Sequence, residues 1–456
     1  MADKATTSFF RRNGYRPDQT QAQCHAFCRE RYPTSTIREL SSQGHCSYTL
    51  HLATDGQEKF IIQFRPENHA VDDEVARLAR CVYKDLAPQI IRLGVVPLDY
   101  YSEEGENKVS SDLIAYYMSL IPGVPLSSSF PSLGYDQRRC LVEEFARVIH
   151  VSWLSRLEPG IDEIPKGRIG SSLGPRLEKL AVCLPVRLRG LAAKVSALLP
   201  QIESLPWVFT HGDLVLSNIM VSSSSSPTIT PHNDHGKIKI EGMVDWAEAE
   251  YLPLGMALYF LEELLLVSSP STTTTTTTFE SPPPKGPNTN TRDTNTNTET
   301  YINNINNTDN PDNPDNTNNT PNTPNTNTDN TTNIPNKNTL NKNTNTNTKT
   351  NNPPAKQTKP KREYHPNAAT LRAHFHKTLS TLIPITSPPL QTQIRISALA
   401  GILLWHGIAF DDGLLDRVVS DTDERDLDEV GLLDLILPFY SSSFLDLSCL
   451  DLLEDG

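Results

Sequence analysis

Two short polar turns carry the side chains best suited to chemistry in this sequence. The first contains Asp213 and, five residues later, Asn218, with an apolar run before and after the turn. The second presents Asp245 directly after the short apolar run 242–244. Apolar flanks of this length predict buried strands, which would anchor the polar side chains at one cleft.

Two aspartates and one asparagine that converge on one cleft would suit a magnesium–nucleotide site. Mg²⁺ prefers hard oxygen ligands and usually keeps several waters. Phosphoryl transfer needs little more than positioning, charge neutralisation and a residue that orients the attacking hydroxyl. The residue types therefore indicate magnesium-dependent phosphoryl transfer.

The two turns carry a family resemblance. The segment His211-Gly212-Asp213-Leu214-x-x-x-Asn218 resembles the catalytic loop, and Val244-Asp245-Trp246 the metal-binding segment, of the aminoglycoside phosphotransferase and choline kinase-like family. Gly212 stands where protein kinases have Arg, and Trp246 where they have Phe, which favours the small-molecule branch. The alternative is two unrelated polar turns in an α/β protein.

The resemblance implies a fold and a set of roles. The fold would be α+β and protein-kinase-like, with a small lobe built on an antiparallel sheet and a larger helical lobe. Asp213 would accept or orient the proton of the attacking hydroxyl, and Asn218 and Asp245 would hold Mg²⁺. ATP or GTP would donate the phosphoryl group to a hydroxyl of a small molecule, whose identity stays open because the family phosphorylates many alcohols.

Upstream residues match the family's nucleotide-binding features by position. Gly44 lies where the family's nucleotide-covering loop falls and would permit close approach to phosphate, with an ordinary hairpin turn as the alternative. Glu74 stands where the family's helix carries the partner of a strand lysine, with a solvated acid at a helix start as the alternative. Ser119 and Ile121 lie in a segment that resembles the hinge between the lobes, whose backbone would meet the nucleotide base.

The strand lysine of the family has no counterpart here. The segment 60–65, Phe-Ile-Ile-Gln-Phe-Arg, contains no lysine. Gln63 and Arg65 share one face of the predicted strand, so either is a candidate for contact with the phosphates. The missing lysine leaves open a second hypothesis, a kinase-like pseudoenzyme that binds nucleotide or a protein partner without turnover.

Hydrophobic patterns divide the chain into differently organised parts. Strands are predicted at 46–52, 59–64 and 114–120, and a helix at 72–83. Two core-facing helical stripes are predicted later, formed by Leu141, Phe145, Val148, Ile149 and Trp153 and by Ile396, Leu399 and Leu403. We predict a helical extension (1–34), a nucleotide-binding small lobe (35–120), a catalytic helical lobe (121–267), a low-complexity insertion (268–362) and the rest of the helical lobe with a C-terminal tail (363–456).

The predicted insertion consists mainly of Thr, Asn, Pro and Asp. It cannot bury enough apolar surface to offset the entropy of ordering, so we expect disorder. Apolar patterning resumes at Leu371, which indicates an insertion within a domain. An interaction module is the alternative, but the composition offers no anchoring hydrophobes.

Composition narrows the classes of partner and compartment. The 456 residues carry a net charge of −13, which argues against a surface that coats nucleic acid. The longest apolar stretch, 398–410, is too short to span a bilayer, so no membrane partner is expected. Seven scattered cysteines and the absence of an apolar N-terminal stretch predict a cytoplasmic protein with reduced thiols.

Two further groups of residues have a structural and a functional interpretation. Cys24 and Cys28 are interpreted as part of a structural helix, with a metal site as the alternative. Four later acids are interpreted as solvated faces, with a pocket for a cationic substrate as the alternative: Glu248, Glu250, Glu262 and Glu263.

Overall fold

The computed structural model describes residues 4–40, 43–54, 59–98, 112–158, 164–222, 238–268, 361–385, 387–411 and 414–444. The chain divides into one unit formed by Met1–Ser271 with Lys359–Gly456 and a second formed by Thr272–Thr358. Everything described below belongs to the first unit. The expected disorder of the insertion lies outside the described residues, apart from the insertion's two ends.

A five-stranded antiparallel sheet follows the N-terminal helices, with strand order β1-β2-β3-β5-β4. The three predicted strands are confirmed as β2, β3 and β5, while β1 and β4 were not predicted. β4 escapes the pattern because a bulge between Arg92 and Gly94, with a φ of 136° at the glycine, breaks its alternation. The strands are β1 (Thr36–Glu39), β2 (Tyr48–Ala53), β3 (Lys59–Pro66), β4 (Ile90–Val96) and β5 (Leu113–Ser119).

Two helices, α1 (Lys4–Arg12) and α2 (Pro17–Arg31), pack against this sheet. Phe9 and Phe10 of α1 form a hydrophobic core with Tyr48 and Phe64 of the sheet. Cys24 and Cys28 of α2 are buried in the same core, which confirms the structural helix. Among the residues that the structure describes, no group of three His, Cys, Asp or Glu side chains stands at metal-binding distance.

Helix α3 (Asp73–Tyr83) confirms the helix predicted at 72–83. Its N-cap is Asp72, whose side chain accepts the backbone N–H groups of Glu74 and Val75. Tyr83 at its end donates to the carbonyl of Phe209 at 2.9 Å. The helix thereby joins the second, larger hydrophobic core.

The larger core is mostly helical. Both predicted stripes are confirmed: the stripe at 141–153 lies on α5, with only Trp153 half-buried, and the three residues of the second stripe are buried on α11. No helix in the described ranges is long and apolar enough to cross a membrane. The helices are α4 (Leu126–Ser129), α5 (Tyr135–Leu154), α6 (Leu173–Cys183), α7 (Val186–Ala197), α8 (Leu199–Glu203), α9 (Tyr259–Leu265), α10 (Ala368–Leu382), α11 (Pro388–Gly407) and α12 (Leu427–Phe444).

Short antiparallel strands connect and position these helices. They are β6 (Val124–Pro125), β7 (Trp207–Thr210), β8 (Ile219–Val221), β9 (Ile240–Met243), β10 (Glu250–Pro253), β11 (Leu266–Ser268), β12 (Arg362–Tyr364), β13 (Ile408–Asp411) and β14 (Leu414–Val418). β7 pairs with β10, β8 lies between β6 and β9, and β13 pairs with β14. β11 and β12 pair across the base of the insertion, where Ser268 lies opposite Arg362.

Candidate functional site

The first polar turn connects β7 to β8. All four residues of β7 are buried, so the turn starts from a fixed position. Gly212 has a φ of 76°, and a Cβ there would lie 1.9 Å from the carbonyl oxygen of Glu248. Only glycine tolerates both the conformation and this approach, which explains its presence beside Asp213.

Asp213 and Asn218 meet as their spacing predicts. The Nδ2 of Asn218 donates to Asp213 Oδ2 at 2.9 Å and to the Asp213 carbonyl at 3.1 Å. The side-chain nitrogen of Asn218 is therefore occupied, and its amide oxygen is the atom that a cation would use.

The second polar turn lies against the first. The N–H of Val244 donates to the carbonyl of Asn218 at 2.9 Å. Asp245 then adopts a φ of 64°, an uncommon conformation for a residue with a side chain. Its Oδ1 accepts a hydrogen bond from Arg65 Nη2 at 3.2 Å, so a strand of the five-stranded sheet reaches the same site.

His211 contacts the backbone of both turns. Its Nε2 lies 2.8 Å from the carbonyl of Val244, and its Nδ1 lies 3.3 Å from the N–H of Asp213. Burial lowers the pKa of His211 to about 4, so the ring is neutral at pH 7. The neutral ring satisfies both contacts when Nε2 carries the proton and Nδ1 accepts.

Trp246 is buried and packs between His211 and Tyr83. Its ring lies 4.5 Å from that of His211 and 4.7 Å from that of Tyr83, measured between centroids. Its Nε1 donates to the carbonyl of Met243 at 2.9 Å. The indole therefore both packs and fixes the second turn.

Three carboxylates of the site, those of Asp213, Asp245 and Glu248, repel one another, and Arg65 pairs with Asp245. Desolvation, and after it the charge of Asp245, raises the pKa of Asp213 to about 6, against the opposing hydrogen bond from Asn218. Desolvation and the charges of Asp245 and Asp213 raise the pKa of Glu248 to about 7, against the attraction of Arg65. An additional cation at this site would relieve the repulsion among the carboxylates.

Glu248 is interpreted from the sequence as part of a solvated face, with a pocket for a cationic substrate as the alternative, and not as a neighbour of Asp213. The only sequence signal is its position, three residues after Asp245. Although much of the residue is exposed, its carboxylate lies within the electrostatic range of both aspartates. Its backbone also packs against Gly212, so it belongs to the site by contact as well as by charge.

Gln63 and Arg65 work as a pair on β3. Gln63 Nε2 donates to Ser47 Oγ at 2.9 Å and to Thr49 Oγ1 at 3.3 Å. Gln63 Oε1 accepts from Arg65 Nε at 2.7 Å. Arg65 is therefore the residue that reaches the site, and Gln63 orients it.

Glu74 lies away from this pair. It accepts from Arg77 Nε at 3.0 Å, on the exposed surface of its own helix. The structure does not bring Glu74 to Arg65 or Gln63, because it occupies the first turn of α3, directly after the N-cap Asp72.

The other predicted nucleotide-binding residues lie at or beyond the ends of strands. Gly44 precedes β2, and a Cβ there would lie 3.0 Å from the Oγ of Ser47, the residue that holds Gln63. Ser119 exchanges hydrogen bonds with Gln89 through its amide and its hydroxyl. Ile121 is buried against β9, where a Cβ at Gly242 would lie 2.7 Å from its side chain.

The interpretation of four later acids as solvated faces is wrong for two of them. Glu250 is buried and accepts the backbone N–H groups of Ile169 and Gly170 at 2.9 and 2.6 Å. Glu262 is fully buried and accepts two hydrogen bonds from Arg372. Their partners lie far away in the chain, so no local pattern indicates the burial.

No family model and no curated protein matches this chain. Among solved structures, the chain is similar to the GDP complex of wild-type aminoglycoside 2′-phosphotransferase-IIIa, with 12% identity over 54% of this chain and 78% of that chain and a TM-score of 0.37. It is also similar to an aminoglycoside phosphotransferase from Streptomyces rimosus, with 15% identity over 53% of this chain and 81% of that chain and a TM-score of 0.30. Both TM-scores are below 0.5.

Proposed function

We propose that this protein is a kinase-like phosphotransferase, which transfers the terminal phosphoryl group of ATP or GTP to a hydroxyl of a small molecule. The observation that carries the proposal is the meeting of Asp213, Asn218 and Asp245, from two separate turns, beside the guanidinium of Arg65. The five-stranded sheet would form the nucleotide-binding small lobe, and the mostly helical part the larger lobe.

Asp213 would act on the acceptor. A carboxylate with a pKa of about 6 is still mostly ionised at pH 7 and is a stronger base than an ordinary aspartate. Asn218 holds Oδ2, which leaves Oδ1 to accept or orient the proton of the attacking hydroxyl.

Asn218 and Asp245 would hold Mg²⁺. The donor set consists of hard oxygens, and Mg²⁺ bound with a nucleotide typically takes only one or two carboxylates from the protein. The mutual repulsion of the carboxylates of Asp213, Asp245 and Glu248 also fits an additional cation. A bound Mg²⁺–nucleotide would supply the phosphoryl group and neutralise its charge.

Arg65 would take the place of the family's strand lysine. Its guanidinium is buried and oriented by Gln63, and a planar fork of donors suits phosphate oxygens. The loop at Gly44 would cover the phosphates, and the backbone around Ser119 and Ile121 would meet the base. Glu74 has no part in this proposal because its carboxylate is paired with Arg77.

A pseudoenzyme is the second candidate, and one contact favours it. Arg65 and Asp245 are paired with each other, so the proposed phosphate ligand neutralises the proposed metal ligand. A protein that keeps this ion pair would bind nucleotide weakly or without turnover.

The test combines binding and turnover. ATP and GTP are titrated into the protein by calorimetry with and without Mg²⁺, and a metabolite library is then screened for phosphorylated products, with Asp213→Asn as the inactive control. Mg²⁺-dependent binding with a product that the control does not form supports the kinase. Binding without any product or nucleotide hydrolysis supports a pseudoenzyme that binds nucleotide. No binding of either nucleotide contradicts the kinase and leaves the pseudoenzyme that binds a protein partner.

A further inference from the structure

A tyrosine hydroxyl anchors the backbone next to Asp213. The N–H of Leu214 donates to the Oη of Tyr259 at 2.6 Å. Both residues are buried, at 2% and 5% exposure, so no water replaces this contact. An unpaired buried N–H is costly, so separation of the loop from Tyr259 would destabilise the folded protein.

This contact completes the fixation of Asp213. His211 Nδ1 accepts a hydrogen bond from the N–H of Asp213, and Asn218 Nδ2 donates one to the carbonyl of Asp213. Tyr259 holds the N–H of the same peptide group, between Asp213 and Leu214. The peptide groups on both sides of the Asp213 Cα are thus held, which limits where its carboxylate can point.

Tyr259 is itself held by a helix that follows the insertion in the sequence. Its ring stacks on Trp405 of α11, with 4.5 Å between centroids and 12° between planes. Helix α11 also approaches the turn before Tyr259 closely: a Cβ at Gly401 would lie 2.0 Å from the carbonyl of Met256, and one at Gly255 2.6 Å from the carbonyl of Ile394. These glycines allow backbone-to-backbone packing, so the tyrosine ring has little freedom to move.

We propose that Tyr259 is a positioning residue for Asp213, and that Trp405 transmits the position of α11 to the catalytic loop. This inference rests on the proposed phosphotransferase function. Tyr259 touches neither nucleotide nor acceptor in this scheme. Its hydroxyl acts by holding Leu214, and through it the carboxylate that receives the proton.

The test replaces Tyr259→Phe, which keeps the ring stack and removes only the hydroxyl. Tyr440→Phe is the matched control, because it removes a buried hydroxyl that donates to Glu262 at 3.0 Å, outside the proposed site. Amide hydrogen exchange at Leu214 is measured without any ligand. Turnover of Mg–ATP or Mg–GTP and nucleotide affinity are measured alongside.

We expect Leu214 to exchange at least about tenfold faster in Tyr259→Phe, because the amide loses its hydrogen-bond partner. We expect kcat to fall about tenfold, the effect of a small misplacement of Asp213, while nucleotide affinity stays within about twofold. The Tyr440→Phe protein should show none of these changes.

Two results would overturn the inference: unchanged protection at Leu214, or lost protection with unchanged kcat. If the unmodified protein turns over no nucleotide, the proposed function is wrong and so is the catalytic consequence, whereas exchange at Leu214 still decides whether Tyr259 anchors the loop. If Tyr259→Phe does not fold, Trp405→Phe replaces it, and we expect a smaller increase in exchange at Leu214. Unchanged protection in that variant would equally contradict the inference.

Discussion

Asp213 and Asp245 have different surroundings, and this difference divides the proposed roles. The carboxylate of Asp213 is held by an amide and has a raised pKa, as suits a group that receives a proton. The carboxylate of Asp245 is half-exposed and paired with a cation, as suits a group that binds charge. The two residues should therefore respond differently to the same substitution.

We expect Asp213→Asn to reduce turnover by about 10²–10⁴-fold while nucleotide still binds, because a positioned acid–base group is lost. We expect Asp245→Asn to weaken mainly the Mg²⁺-dependent part of nucleotide affinity, because a hard anionic ligand is lost. Calorimetry with and without Mg²⁺, together with turnover rates, separates the two effects. Identical profiles for the two variants would contradict this division of roles.

The raised pKa of Asp213 also predicts a pH-dependent effect on stability. A folded-state pKa of about 6, above the ordinary value of 3.8, gives a contribution to stability that is present below about pH 4 and is lost as the pH rises through 6. The charged carboxylate therefore destabilises the fold at pH 7. Asp213→Asn should raise the free energy of unfolding on the order of 1–2 kcal/mol at pH 7 and much less at pH 4.

Urea unfolding at the two pH values measures this difference. Asp136→Asn is the control, since Asp136 is an exposed acid in the first turn of α5, outside the proposed site. Equal effects of Asp213→Asn at both pH values would show that desolvation of the carboxylate is not the cause.

Arg65 and Gln63 differ in how directly they would meet a phosphate. We expect Arg65→Ala to weaken ATP affinity by about 1–3 kcal/mol, the range for a charged hydrogen bond, and Gln63→Ala to weaken it less, because Gln63 only orients the guanidinium. Arg65→Lys keeps the charge but not the planar fork of donors, so its loss of ATP affinity should lie between those of Arg65→Ala and Gln63→Ala. Calorimetric titration of Mg–ATP measures all three, and unchanged affinity in Arg65→Ala would contradict the assignment.

At the scale of elements, the β11–β12 pair predicts that the insertion contributes little to the stability of the fold. These strands pair the residues at the two ends of the insertion. A short turn could therefore connect β11 to β12 in place of the intervening segment. We expect replacement of residues 269–361 by a short Gly/Ser turn to leave the midpoint of thermal unfolding and nucleotide turnover nearly unchanged, because loop length affects closure entropy only weakly.

A chain with the same residues 269–361 in scrambled order is the matched control. It keeps length and composition and should behave like the unmodified protein. Loss of soluble, cooperatively folding protein on shortening or scrambling would show that the segment has a specific structural role.

At the scale of the whole molecule, a buried polar cluster joins the chain before the insertion to the chain after it. Glu262 of α9 accepts two hydrogen bonds from Arg372 of α10 and one each from Tyr364 and Tyr440. A carboxylate buried this deeply is costly unless such partners compensate it. The cluster therefore fastens α9 to β12, α10 and α12.

We expect Arg372→Leu to lower the free energy of unfolding by about 3–5 kcal/mol, because Glu262 would be left buried without its cation. Arg362→Leu is the matched control: Arg362 also pairs with a glutamate of α9, Glu263, but is half-exposed, and its loss should cost at most about 1 kcal/mol. Urea unfolding measures both. Equal losses in the two variants would show that burial does not determine the strength of the pair.

Local patterns in the sequence determined the elements and the short-range part of the site. The alternating strands β2, β3 and β5 and the helical stripes on α5 and α11 follow from the spacing of apolar residues. Asp213 and Asn218 meet because five residues of one tight loop separate them. Each of these features depends on residues that are near one another in the chain, where periodicity and turn chemistry suffice.

Only the tertiary structure decided which distant residues complete the site. Arg65 reaches Asp245 across 180 residues, and Tyr259 reaches Leu214 across 45. The sequence leaves two interpretations of Glu74 open, a partner of the strand or a solvated acid at a helix start, and the structure shows the second, with Glu74 paired to Arg77. Such contacts depend on strand register, on the direction in which each helix is docked and on close backbone approaches such as that at Gly401, and the local period of hydrophobicity contains none of this information.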